Sequence, residues 1–84
     1  MVLEPYVLAV DPGRDKTGVA ILTKTAQLVM MDIVSTASVQ KELETLLAMY
    51  PTITYMVCGN GTNHKVVGSI VKTLAISQER AFAF

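Results

Sequence analysis

Two short segments of the sequence carry the groups that could bind a ligand. The first is Asp11, the acid that ends the apolar run YVLAVD and is followed directly by Pro12 and Gly13. The second is Gly59–Thr62, which follows another apolar run, ITYMVC. A carboxylate beside a glycine turn suits a hard cation such as Mg²⁺ or Mn²⁺, which takes oxygen ligands and in turn holds phosphate oxygens. Because Asp is also common in ordinary Asp-Pro-Gly turns, the pattern leaves both interpretations open.

Neighbouring residues could extend this candidate site toward anions. Arg14 and Lys16 lie in the turn after the first segment, where they either contact phosphate or face solvent. The 59–63 loop precedes a predicted helix, and free amides at a helix start favour anions, although an ordinary capping loop is the alternative. His64 and Lys65 would lie in the first turn of that helix, close enough to add to an anion site.

Six elements are predicted to position these residues, in the order β-β-β-α-β-α. The strands are predicted over 6–11, 18–23, 27–34 and 53–58. The first strand reads as one covered on both faces, because its apolar run is continuous. One amphipathic helix is predicted over 38–50, closed by Pro51, and a second follows the 59–62 loop, with Thr62 or Asn63 as its cap. The tail QERAFAF could end this helix or begin a fifth strand.

The topology predicts that both candidate segments meet. Two short antiparallel links make the first and third strands parallel, and the 38–50 helix crosses over to a fourth strand parallel to the first. Ligands of such sheets bind at the carboxyl ends of the parallel strands. Asp11 and Gly59–Thr62 are therefore expected side by side. The residues predicted to be largely buried are Val10, Val19, Ile21, Leu43, Leu47, Val57, Ile70 and Leu74.

The pattern of motifs resembles one known group of proteins. Asp11–Gly13 followed by Thr17–Ala20 resembles the first hairpin of the YqgF-type, Holliday-junction-resolvase-like branch of the RNase H-like superfamily. Gly59–Thr62 is similar to the Gly-Asn-Gly-Thr loop of YqgF-like domains, including the one inside the Tex transcription accessory proteins. The resemblance covers essentially the whole chain. It implies a mixed α/β sheet of RNase H-like type with strand order 3-2-1-4, shortened at its C-terminal end.

The resemblance also implies a function. Active members hydrolyse phosphodiesters with two Mg²⁺ or Mn²⁺ ions, so Asp11 would be the catalytic acid and metal ligand, acting on structured RNA or branched DNA. Contacts to nucleic acid and its phosphates are expected from Arg14, Lys16, Gly59, Asn60, Gly61, Thr62 and Lys65. The family's other acids come from later strands and a later helix, whereas the fourth strand here ends in Gly59-Asn60. A non-catalytic binding module of the same fold, like the Tex domain, is therefore the alternative.

A third interpretation is half of an actin-like or sugar-kinase-like ATPase. Such domains also use an Asp-x-Gly turn between the first two strands to hold phosphate. They need a second domain of this kind and a much longer chain than 84 residues.

Composition limits these functions further. Residues 1–84 are enough for one small domain, and 51% of them are hydrophobic. The net charge is zero, so nucleic-acid binding would depend on a local patch or a metal. Cys58 is the single cysteine, and we predict that it is a buried apolar group. Because no apolar run is long enough for a membrane span, a cytoplasmic location is expected. The apolar tail 81–84 predicts a homodimer.

Overall fold

A five-stranded mixed sheet with two α-helices forms the molecule in the computed structural model, which describes residues 4–84. Its elements are β1 (Tyr6–Asp11), β2 (Lys16–Thr23), β3 (Leu28–Ser35), a 3₁₀ turn (Thr36–Ser38), α1 (Val39–Met49), β4 (Ile53–Cys58), α2 (His64–Ser77) and β5 (Ala81–Ala83). The strand order is β3-β2-β1-β4-β5. The pairs β1–β2 and β2–β3 are antiparallel, and β1–β4 and β4–β5 are parallel.

This arrangement confirms the α/β class and adds one strand to the four that the sequence predicted. The ambiguous tail does not continue α2: the helix ends at Ser77, Glu79 adopts a left-handed φ of 56°, and the chain turns back to pair β5 with β4. Arg80 fixes this return, because its guanidinium donates a 2.6 Å hydrogen bond to the carbonyl oxygen of Ile53. The predicted shortened sheet of four strands is therefore wrong, because the sheet has a fifth strand.

The core lies on one face of the sheet, beneath both helices. Alternate residues of the strands, such as Leu8, Val10 and Ile21, join the apolar faces of α1 and α2 in one cluster. The prediction for β1 was wrong in this respect, because Val7 and Ala9 on its other face are only half-buried. Of the eight predicted core residues, six are buried: Val10, Val19, Ile21, Leu43, Leu47 and Leu74.

The other two predicted core residues, Val57 and Ile70, are only partly buried. Val57 pairs with Ala9 and therefore lies on the face that the helices leave uncovered, while its neighbours Met56 and Cys58 enter the core. An irregularity in the β1–β4 register after Tyr6 contributes to this outcome, because it shifts which residues of β4 share a face. The alternation of residues along β4 could not by itself show which of its two faces packs against the helices.

β3 forms one edge of the sheet, and Val34 is its one buried residue. Asp32 is exposed at this edge, where a charge discourages pairing with another strand. Met30 packs against the core, whereas Met31 is 66% exposed on the uncovered face. Neither α-helix of the described residues is long and apolar enough to cross a membrane.

Candidate functional site

The carboxylate of Asp11 lies against the 59–62 loop at the shared end of β1 and β4. An ideal Cβ placed on Gly61 would lie 3.6 Å from Asp11 Oδ1, and one placed on Gly59 would lie 3.9 Å from the same oxygen. On its other side Asp11 pairs with Gly18 of β2. Three glycines therefore surround the base of this exposed carboxylate, and none contributes a side chain that would cover it. The predicted meeting of the two segments is confirmed.

The turn between β1 and β2 is held to the rest of the fold by a chain of hydroxyl groups. The fully buried hydroxyl of Thr17 lies 2.8 Å from that of Thr36, which in turn donates a 3.0 Å hydrogen bond to the carbonyl oxygen of Gly13. The backbone N–H of Thr36 also donates to the carbonyl oxygen of Asp15, at 2.9 Å. These bonds fix the turn that follows Asp11, and therefore the end of β1.

Gly13 is required in this turn because of a close approach between backbone segments. A Cβ at this position would overlap the carbonyl oxygen of Lys16. Its φ is not positive, so the requirement is one of space rather than of a left-handed conformation. The Asp-Pro-Gly pattern thus has a structural role in the tight turn and also places a carboxylate at the strand end.

Within the 59–63 loop the fold engages the amide of Gly59, and the first amide of α2 bonds back to the loop. The N–H of Gly59 donates to the carbonyl oxygen of Val10 at 2.8 Å, and the N–H of His64 donates to that of Gly61 at 3.2 Å. Asn63, in a left-handed conformation with φ of 67°, is the residue that caps α2, but its side chain makes no capping bond. Asn60 and Thr62 are exposed and leave polar side chains at the rim of the loop.

The predicted cationic residues are placed around this loop and turn. Arg14 and Lys16 are both exposed, and the alternation of β2 puts Lys16 on the uncovered face, beyond Gly18. Lys65 is exposed on the first turn of α2, and the Nδ1 of His64 lies 3.1 Å from the carbonyl oxygen of Gly61. His64 thus braces the loop, because its Nδ1–H tautomer can donate to that oxygen.

Cys58 is buried behind the site, with 1% of its surface exposed. Burial raises the pKa of its thiol above the ordinary value of 9.0, and the negative charge of Asp11 raises it further. The thiol therefore stays protonated at neutral pH. It acts as an apolar group of the core, as the sequence predicted, and not as a nucleophile or thiolate ligand.

Two grooves border the site, and sequence reasoning did not identify either. The first, with a volume of about 580 Å³, runs over the uncovered face from Asp11 and Gly59 to Phe84. The second, of about 490 Å³, lies along α2 and includes Lys65 and Lys72. The signal in the sequence that could have revealed the second groove was the spacing of Lys65, Ser69 and Lys72, which places all three on one face of the helix.

The donor groups present fit one hydrated cation better than two. Mg²⁺ is commonly held by one or two carboxylates together with water and substrate phosphates, and Asp11 supplies one exposed carboxylate. Among residues 4–84, no group of three or more His, Cys, Asp and Glu side chains converges as a metal cluster. A pair of bridged ions would require more carboxylates than this part of the chain brings together.

Comparison with known proteins relates the fold, but not the sequence, to other chains. No family model matches the sequence, and no curated protein matches it. Among solved structures, an uncharacterized protein with similarity to the peptidase YeaZ from Pseudomonas aeruginosa superposes with a TM-score of 0.66 at 16% identity, over 94% of this chain and 43% of its own.

Two further structures agree with this result. A candidate N-acetylmannosamine kinase from Listeria monocytogenes matches with a TM-score of 0.67 at 11% identity, over 93% of this chain and 34% of its own. YeaZ from Pseudomonas aeruginosa matches with a TM-score of 0.64 at 16% identity, over 93% of this chain and 44% of its own. The chain spans less than half the length of each, and at these identities the likeness establishes a shared α/β fold alone.

Proposed function

We propose that this chain is an RNase H-like domain of the YqgF type that binds phosphate groups of structured RNA or branched DNA at the end of β1 and β4. Asp11 would hold a Mg²⁺ or Mn²⁺ ion, and the ion would neutralise the phosphate. The observation that carries the proposal is the position of Asp11 Oδ1 beside Gly59 and Gly61, where an added Cβ would lie 3.9 Å and 3.6 Å from that oxygen. Because these residues have no side chains, a ligand can approach the carboxylate closely. The proposed location is the cytoplasm.

Binding without cleavage is the form of this function that the described residues support best. In-line hydrolysis by two ions needs several carboxylates to hold the pair, and within residues 4–84 no three His, Cys, Asp or Glu side chains come together at Asp11 as a metal cluster. The bound cation would supply charge to attract and orient a phosphate. The exposed rim residues Asn60 and Thr62 would add hydrogen bonds to the same group.

The fold comparison favours a second candidate, a nucleotide-phosphate site within a kinase-like protein. The chain matches about a third of the candidate N-acetylmannosamine kinase, at 34% of its length. In that case the turn after Asp11 would face the phosphates of ATP, and the remaining contacts to the nucleotide would come from a second unit. The two candidates differ in the ligand that the same carboxylate serves.

The test compares wild type with Asp11→Asn, and uses Asp15→Asn as the matched loss of an exposed acid from the same turn. Fluorescence anisotropy would follow a labelled four-way DNA junction and a labelled RNA hairpin in Mg²⁺, in Mn²⁺ and in EDTA. We expect the divalent-dependent part of binding to fall about tenfold or more in Asp11→Asn, equivalent to about 1.4 kcal/mol or more. Asp15→Asn should bind as wild type does.

The same mixtures, resolved on denaturing gels, test for catalysis. We expect intact nucleic acid in every lane. Metal-dependent cleavage by wild type that disappears in Asp11→Asn would instead establish the nuclease. Binding of ATP that is tighter than binding of either nucleic acid, and that depends on Asp11, would favour the kinase-like function. Binding that is insensitive to Asp11 and to divalent ions would refute the proposed site.

A further inference from the structure

A cationic groove runs along the outer face of α2, beside the Asp11 site but separate from it. Its volume is about 490 Å³. The side chains that line it are those of Asn60, His64, Lys65, Ser69, Lys72 and Phe84. No acidic residue is among them, although the chain as a whole has zero net charge. The groove therefore has a local positive charge that composition does not reveal.

Helical geometry places the two lysines in a row. Lys65 and Lys72 are seven residues apart, which corresponds to two turns and about 10 Å along the helix. Ser69 lies between them on the same face, and all three are exposed. Two ammonium groups and a hydroxyl spaced in this way match successive phosphates of an extended polynucleotide strand better than a single phosphate group.

An aromatic ring lines the groove at Gly68, between the positions of the two lysines on α2. Phe84 is 71% exposed, and its ring covers the backbone of α2 at Gly68, where an added Cβ would lie 2.6 Å from the ring. The ring also packs edge-on against Phe82, with 4.9 Å between the centroids. Support from Gly68 and Phe82 holds the ring in place while much of it remains accessible. An accessible aromatic ring beside cationic side chains is the combination that binds bases and phosphates of single strands.

We propose that this groove binds a single-stranded segment of nucleic acid, with phosphates on Lys65 and Lys72 and a base stacked on Phe84. The inference rests on the proposed function in taking nucleic acid as the ligand. The 59–62 loop joins the two places, because Asn60 lines the groove while Gly59 and Gly61 lie against Asp11. A strand held on α2 would therefore lead to the phosphate site at the end of β1.

The experiment measures binding in EDTA, where the Asp11 site has no divalent ion to contribute. Anisotropy of a labelled 12-nucleotide oligothymidylate would be recorded between 50 and 200 mM salt. The variant Lys65→Gln/Lys72→Gln is compared with Lys24→Gln/Lys41→Gln, which removes two exposed lysines elsewhere. Each phosphate contact to single-stranded nucleic acid contributes about 0.7 to the slope of log K against log salt. The groove variant should thus lower the slope by about 1.4, and the control by much less.

The stacking contact is tested with Phe84→Leu, which keeps an apolar side chain over Gly68 and removes the aromatic face. Loss of one base stack should weaken binding by about 5- to 150-fold. Thermal melts of every variant would verify that the fold is retained. An unchanged affinity in Phe84→Leu, with the fold retained, would overturn the stacking contact.

Three results would overturn the groove itself: no binding by wild type in EDTA, equal losses in the two lysine pairs, or displacement of the oligonucleotide by ATP at equimolar concentration. The outcomes also separate this inference from the proposed function. Dependence on Lys65 and Lys72, without any divalent-dependent effect of Asp11→Asn, would leave the groove standing and remove the Asp11 site. The opposite pattern would do the reverse.

Discussion

Gly13→Ala provides the sharpest test of how the β1–β2 turn is built. An alanine Cβ would overlap the carbonyl oxygen of Lys16, and because this is a backbone atom the turn itself would have to move. Movement of the turn would break the 3.0 Å hydrogen bond from the Thr36 hydroxyl to Gly13 and strain the 2.9 Å bond from the Thr36 N–H to Asp15. The end of β1, and with it Asp11, would shift as a consequence.

The expected loss of stability follows from these contacts. Overpacking of this kind costs about 1–3 kcal/mol, and each lost hydrogen bond costs about 0.5–1.5 kcal/mol. A gain of about 0.4–1 kcal/mol from the less flexible unfolded chain opposes these terms. The net loss is therefore about 3 kcal/mol. For a domain of this size, that lowers the melting temperature by about 12–24 °C.

Gly59→Ala is the matched control, because it also replaces a glycine by alanine next to Asp11, but in the neighbouring loop. Its Cβ would meet Pro12 Cδ at 3.7 Å and Asp11 Oδ1 at 3.9 Å, both ordinary contacts. No glycine within residues 4–84 has a positive φ, so this alanine should be neutral or stabilise by up to about 1 kcal/mol. Urea denaturation and thermal melts would compare both variants with wild type. A Gly13→Ala protein within 1 kcal/mol of wild type would refute the account of the turn.

Three further predictions concern the core, pH and association. Leu47, 2% exposed, packs in the core; Leu47→Ala should lower the free energy of unfolding by about 2–5 kcal/mol in urea titrations, and a loss under 1 kcal/mol would contradict its placement. Because the pKa of Cys58 is raised above 9.0 in the folded state, the thiol ionises first in the unfolded chain, and the free energy of unfolding should fall above about pH 9. Cys58→Ala should remove that part of the decline. Parallel plots of stability against pH for the two proteins would contradict this prediction. β5 (Ala81–Ala83) lies at the sheet edge, so we expect sedimentation experiments to show a homodimer. The substitution Ala83→Pro should disrupt this dimer, and a wild-type monomer at high micromolar concentration would count against the prediction.

The position of the candidate site could be predicted because it depends on chain connectivity. The crossover through α1 makes β4 parallel to β1, and the neighbouring carboxyl ends then bring Asp11 to the 59–62 loop. The bounds of β1 and β4 matched the prediction, whereas β2 begins two residues earlier, at Lys16, and β3 lies one residue later than predicted. These features need no knowledge of which face of the sheet is covered.

Burial on the two faces could not be predicted, because it depends on where the helices pack. β1 and β4 are apolar on both faces, so their sequences do not distinguish Val57 from Met56. The hydroxyl pair Thr17 and Thr36 was also beyond reach, because the two residues are 19 positions apart and meet only when β3 returns beside β2. Such long-range polar contacts leave no periodic signal in the sequence.

The distribution of charge explains how a chain with zero net charge could still bind a polyanion. Asp11 repels a phosphate unless a divalent ion intervenes, whereas Lys65 and Lys72 attract one directly. The two proposed sites would therefore respond to different solution conditions: the first to divalent ions and the second to monovalent salt. If one strand occupies both, adding Mg²⁺ should strengthen binding at high salt, where the lysine contacts are weakened. If the strand binds to the cationic groove alone, Mg²⁺ would compete with the lysines for the phosphates and weaken binding. The sign of the Mg²⁺ effect therefore distinguishes a joined surface from a simple cationic groove.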